Sequence, residues 1–101
     1  MKKKYLALKI NLKEELEKGH DEYVIKNLAL QLDKNLQARY GKNVPIAKLL
    51  LTAYKSGDIS REESNFLNYL ILTNKLILNK KSNRDYSTAM VWKWIDTVFN
   101  I

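Results

Sequence analysis

The sequence predicts an all-α protein: an antiparallel up-and-down four-helix bundle with an additional short C-terminal helix. Three observations predict it. Apolar residues recur at steps of three and four along most of the chain, the spacing that lines one face of a helix. Gly and Pro together number four in 101 residues, too few for a loop-rich or disordered chain. Short clusters of turn residues separate the periodic stretches: Gly19; Gly41-Lys42-Asn43 leading to Pro45; Ser56-Gly57-Asp58; and Lys80 to Arg84. Strict alternation, the mark of a strand, occurs only briefly around Leu6-Ala7-Leu8-Lys9-Ile10. A chain of this length makes one domain, spanning residues 1–101.

The helices are expected at about 4–18, 21–40, 45–56, 60–80 and 87–99, from periodicity and boundary residues together. In the first, Tyr5, Leu8, Leu12 and Leu16 share a face. In the second, Ile25, Leu28, Ala29, Leu32, Leu36 and Tyr40 do so over four turns, the strongest periodicity in the chain. Gly41 is placed to stop that helix in the left-handed conformation. The third begins near Pro45, whose missing N–H has no helical partner in a first turn anyway. Asn43 or Val44 is its expected cap, Ile46, Leu49, Leu50 and Ala53 form its stripe, and Gly57 ends it. The fourth opens on Ser60-Arg61-Glu62-Glu63, a capping box in which Ser60 and Glu63 satisfy each other's free backbone donors. Asp58, Glu62 and Glu63 also complement the positive end of its dipole. Its apolar face runs through Phe66, Leu67, Leu70, Ile71, Ile77 and Leu78. Four helices joined by short turns are expected to pack antiparallel.

Composition narrows the function. Cysteine is absent, so there is neither a disulfide framework nor a thiolate ligand or nucleophile, which fits a reducing cytoplasm. After Met1-Lys2-Lys3-Lys4, the apolar run from Tyr5 to Leu8 stops at Lys9, well short of a signal-peptide core. Phe66 to Leu78 is interrupted by Asn68, Thr73, Asn74 and Lys75 and cannot span a bilayer. A cytoplasmic protein is expected. The formal net charge is +7. Its excess sits mainly in two acid-free clusters, Lys2, Lys3, Lys4 and Lys9, and Lys75, Lys80, Lys81 and Arg84. Such clusters either solvate a surface or attract nucleic acid or an anionic membrane leaflet.

No constellation for chemistry emerges. The lone His20 lies in a turn beside Asp21 and Glu22, and metal or proton-transfer sites need several groups at fixed spacing. Glu14, Glu15 and Glu17 read as a charged solvent face. No phosphate loop, nucleophile elbow or His-Glu metal helix occurs, so neither catalytic residues, a cofactor nor a metal is expected. The span from Leu49 to Phe66 superficially reads as helix-turn-helix. The places where that motif needs apolar residues hold Asp58 and Glu63, however, and Glu62 and Glu63 would repel phosphate. No specific nucleic acid is expected as a partner.

The order of these boundary signals resembles a known family. A second helix ending in Tyr40-Gly41 precedes Asn43-Val44-Pro45-Ile46 with Leu49 and Leu50. Asp58-Ile59-Ser60-Arg61-Glu62-Glu63 then leads to Leu67 and Leu70. Over roughly residues 20–80 this resembles the immunity proteins of class IIa (pediocin-like) bacteriocins, the enterocin A immunity family, although each signal is also a generic helix boundary. The resemblance implies a cytoplasmic antiparallel four-helix bundle that protects a bacterium from a membrane-permeabilising peptide without degrading it. It implies a partner too: the bacteriocin-bound receptor, the membrane components of the mannose phosphotransferase permease, engaged at the inner membrane face with peripheral membrane association. In the family the C-terminal half and tail decide which bacteriocin is countered. The alternative class is a small basic nucleic-acid-binding regulator or an antitoxin-like protein partner.

The chain departs from the family in its apolar tail, Tyr86 to Ile101, which carries both tryptophans. Ser87 or Thr88 can cap a helix there. Its apolar residues, in angular order Met90, Trp94, Val98, Val91, Ile95, Phe99 and Trp92, cover an arc of about 200°, roughly twice the stripe a surface helix needs. The surplus is either buried elsewhere or open to a partner. Trp94 is expected to fold back over the bundle or to meet that partner. Trp92, at the margin beside Lys93 and Asp96, is the better partner contact, since indole is a common hot-spot residue. The candidate partner-binding residues are therefore Trp92, Trp94, Phe99, Lys80, Lys81, Arg84 and Lys93, and the first four helices are expected to fold without the tail.

Overall fold

Local boundary chemistry sets where each helix starts and stops. The computed structural model describes residues 3–80 and 85–101. Every regular element among them is an α-helix: α1 (Lys3–Glu17), α2 (Asp21–Tyr40), α3 (Ile46–Lys55), α4 (Arg61–Leu78) and α5 (Thr88–Val98). None of these helices is long and apolar enough to cross a membrane.

The Ser60 capping box forms as expected. Glu63 N–H donates to Ser60 Oγ at 3.0 Å, and Ser60 N–H donates to Glu63 Oε1 at 2.9 Å. Ser87 caps α5 by accepting from the Met90 N–H at 3.2 Å. At the end of α3, Gly57 adopts φ +80, and paired bonds from Gly57 N–H to Tyr54 O and from Asp58 N–H to Ala53 O close the helix. That turn delivers Ile59 into the core.

Two boundaries differ from expectation. Gly41 is not left-handed helical. Its φ of 127 and ψ of 148 belong to an extended region open to glycine, while its N–H still reaches Gln37 O at 3.0 Å. The cap position of α3 is held by Pro45 itself, not Asn43 or Val44. The Pro45 carbonyl accepts from Lys48 N–H at 3.0 Å and Leu49 N–H at 3.1 Å, and no side chain caps the helix.

Helix α2 is central and touches each of the other four. Its fully enclosed residues Val24, Ile25, Leu28, Leu32 and Leu36 wind along the helix and supply the middle of the core. Helix α3 packs on α2 and α4. Helix α5 packs on α1, α2 and α4, and among the described residues α1 touches neither α3 nor α4. The C-terminal helix is thus an interior member of the assembly, lying between α1 and α4. Leu12 and Leu16 from α1, Leu49, Leu50 and Ala53 from α3, and Leu67 and Leu70 from α4 complete the core with Val91, Trp94, Ile95, Val98 and Phe99. Leu78, expected on the inner face of α4, is instead exposed at the last turn, where Ile77 is the residue turned towards the core. Thr73 is buried there because its hydroxyl donates to Tyr69 O at 2.7 Å and leaves no orphan donor.

Hydrogen bonds reinforce the packing. Asn35 Nδ2 donates to Tyr5 Oη at 2.6 Å, and the Tyr5 hydroxyl donates to Val98 O at 3.3 Å, tying α1 and α2 to the end of α5. Burial raises the Tyr5 hydroxyl pKa above its ordinary value, the Asn35 bond opposing the shift. Tyr40 bonds Asp58, and Tyr86 bonds Asp21.

Candidate partner-binding surface

The five candidate residues among those described divide between interior and surface. Trp94 is wholly enclosed. Its indole N–H donates to Phe66 O at 2.8 Å, and its ring lies 5.3 Å from that of Phe66 and 5.9 Å from that of Tyr69. Buried indole normally finds such an acceptor. Phe99 is buried against Tyr5, with ring centroids 4.6 Å apart. Neither ring offers a surface to a partner in this fold, which corrects their assignment to a partner contact. The reason lies in the wide apolar arc of α5. A helix resting on one neighbour needs a narrow stripe, whereas α5 has α1, α2 and α4 around it and fills the wide arc with core contacts. The expectation that the first four helices fold without residues 86–101 loses its basis for the same reason.

Trp92 is half-buried at the edge of that arc, next to α1. The Lys13 ammonium stands over its ring, 5.3 Å from the centroid. Lys13 also reaches Asp96 Oδ1 at 3.3 Å, and Lys9 reaches the same oxygen at 3.4 Å. Sequence reasoning did not join Lys9 and Lys13 to this surface. Their spacing of four places them on one face of α1, but only tertiary packing could reveal that α5 lies beside that face.

Lys93 is exposed and stands 5.5 Å over the Phe66 ring. It borders a cleft of about 310 Å³ between the start of α4 and α5, lined also by Ser60, Glu62, Glu63 and Thr97. Lys80 is exposed just beyond α4, at a positive φ of 55. Lys81 and Arg84 lie outside the described residues. The structure therefore brings Trp92 together with Lys9, Lys13 and Asp96, and leaves Lys80 and Lys93 as separate surface cations.

His20 sits in the α1–α2 turn, exposed, with Nδ1 2.6 Å from Glu15 Oε2. The His20 contact holds the Glu15 carboxyl below its ordinary pKa, assisted by Lys18, whose Nζ lies 3.6 Å away. Asp21 and Glu22 occupy the first turn of α2, where they complement its dipole. Among the described residues no group of three His, Asp or Glu is placed to hold a metal ion. No family model, curated protein or solved structure matches the chain.

Proposed function

We propose that this chain is an immunity protein of the pediocin-like bacteriocin type, acting in the cytoplasm by non-catalytic binding to the bacteriocin-bound mannose phosphotransferase permease. The observation that carries the reading is the placement of the resembling motifs at helix boundaries. Tyr40-Gly41 closes α2, Val44-Pro45-Ile46 opens α3, and the Ser60–Glu63 box opens α4. The antiparallel up-and-down course expected of the family accompanies this reading with one departure: Tyr40 at the end of α2 bonds Asp58 just ahead of α4, which sets those two helices in opposite directions where a strict up-and-down order would set them parallel.

Receptor contact falls in this reading to the α5 edge around Trp92, the one tryptophan that keeps accessible surface. Indole half in water with a basic rim suits a protein hot spot. Expression in a sensitive strain, followed by challenge with a panel of class IIa peptides, tests the function directly. Protection against at least one peptide is expected; sensitivity to the entire panel overturns the proposal. Trp92→Ala should abolish protection while costing about 1–2 kcal/mol of stability, the sum of a partly buried ring and one cation–π contact. Full protection by that variant places the receptor contact elsewhere.

A further inference from the structure

Between α2, α3 and α4 lies a groove of about 260 Å³. Leu30 and Asp33 line it from α2, Ile46 from α3, and Asn74, Lys75 and Leu78 from α4. Leu78 and Leu30, at 58% and 52%, are the two most exposed large apolar side chains among the described residues. A leucine exposed by itself needs no account, but these two meet at one groove from different helices, and a shared apolar patch marks a surface that gets covered.

The polar groups of the groove are unfinished as well. Asn74 Oδ1 is enclosed without a hydrogen-bond partner, a state that folded proteins rarely leave uncompensated. Asp33 and Lys75 are the only charged residues of the lining, and among the described residues neither belongs to an ion pair. One acid and one base make the groove locally neutral on a chain of net charge +7. An acidic partner would oppose Asp33 and a basic one Lys75, so the fitting surface carries one charge of each sign in the reverse order. The groove is its own complement in this respect. A two-fold axis that turns one groove onto another brings Asp33 to Lys75 and Lys75 to Asp33, and a carboxamide, donor and acceptor at once, can bond its own twin.

We propose that this groove is the interface of a two-fold symmetric dimer, covered by the same groove of a second copy of this chain. Leu30 and Leu78 of each protomer supply the apolar contact, Asp33 of each pairs with Lys75 of the other, and the two Asn74 carboxamides turn to bond each other across the axis. The inference goes beyond the immunity reading and does not depend on it. Self-association is read from mass in solution and protection from the survival of cells, so either can fail alone.

The test is sedimentation equilibrium of the full chain from micromolar to millimolar concentration at about 0.15 M salt, where a Debye length of ~8 Å screens the net charge. The mass is expected to rise from 11.8 kDa towards twice that value. Asp33→Lys and Lys75→Asp should each raise the dimer Kd at least about ten-fold, because each sets like charges together twice. One variant raises the net charge and the other lowers it, so a loss in both excludes diffuse repulsion. Mixing the two variants should restore association as a heterodimer, and so should both substitutions in one chain, each to within about three-fold of the parent. Leu30→Ser with Leu78→Ser should raise Kd about thirty-fold or more with an unchanged helical spectrum, because both side chains are already half in water. Asn74→Ala should raise it about ten-fold without lowering Tm, since within one chain the Asn74 oxygen has no bond to lose. A mass that stays at 11.8 kDa throughout overturns the proposal. So does a dimer indifferent to the leucine, asparagine or charge variants, or a pair of charge-reversed variants that fail to rescue each other.

Discussion

Replacing Trp94 by alanine tests the central claim of this fold, that the C-terminal helix is core. Trp94 has no accessible surface and packs its ring among Phe66, Tyr69 and Tyr86. Truncating a buried Trp or Phe costs about 3–5 kcal/mol, because a cavity replaces most of the lost contacts. The bond from its indole N–H to Phe66 O adds a net ~0.5–1.5 kcal/mol. These contributions overlap, so about 4–5 kcal/mol is expected in total. A domain of this size has only ~5–15 kcal/mol of stability. At ~4–8 °C per kcal/mol, Tm should fall by about 20 °C or more. Trp94→Phe keeps most of the ring and loses only the N–H and the outer ring atoms, so it should fall between parent and Trp94→Ala. Urea denaturation followed by circular dichroism reads both, with the slope m checked for constancy. If the Trp94→Ala midpoint falls no further than that of Trp92→Ala at equal m, α5 is not core and the argument fails.

The other perturbations probe separate parts of the chain. Deleting residues 86–101 removes Val91, Trp94, Ile95, Val98 and Phe99 from the core and should leave a chain without cooperative unfolding; a sharp thermal transition would refute this. Ser60→Ala should cost about 0.5–2 kcal/mol by freeing the Glu63 N–H, and an unchanged denaturation midpoint would mean the box contributes nothing. His20→Ala should leave protection intact while the Glu15 carboxyl, followed by NMR, titrates closer to its ordinary pKa. A carboxyl whose folded pKa is lowered stabilises the fold above its unfolded value, and that contribution disappears as pH falls through the folded value. The deficit of the His20 variant relative to the parent should therefore be present above the ordinary Glu range and vanish as pH falls through the folded Glu15 value, and a deficit that appears only in acid would contradict the assignment.

Much of this structure was readable wherever the determining interaction is local. The Ser60–Glu63 box, the Ser87 cap and the Gly57 turn are set by residues within a few positions of one another, and each forms as the sequence indicates. The α2 stripe was legible from periodicity alone, although it also takes in Val24, one position ahead of its expected start. Glycine identity at 41 announced a positive φ without saying which ψ would accompany it. Thr73 escaped because its polarity is hidden by a bond to its own helix, and Leu78 misled because periodicity continues past the point where neighbours stop.

The tail shows where such reasoning ends. Its apolar arc of about 200° was visible in the sequence, and so was the choice between burial and a partner. What decides between them is how many helices surround α5, a property of packing between residues more than seventy positions apart, as in the Tyr5 bond to Val98. Once α1 and α4 flank it, the surplus closes inward and Trp94 and Phe99 become interior. Only the margin of the arc stays available, and there α1 supplies Lys9 and Lys13. The surface open to a partner is thus composite, an indole from one end of the chain beside ammonium groups from the other.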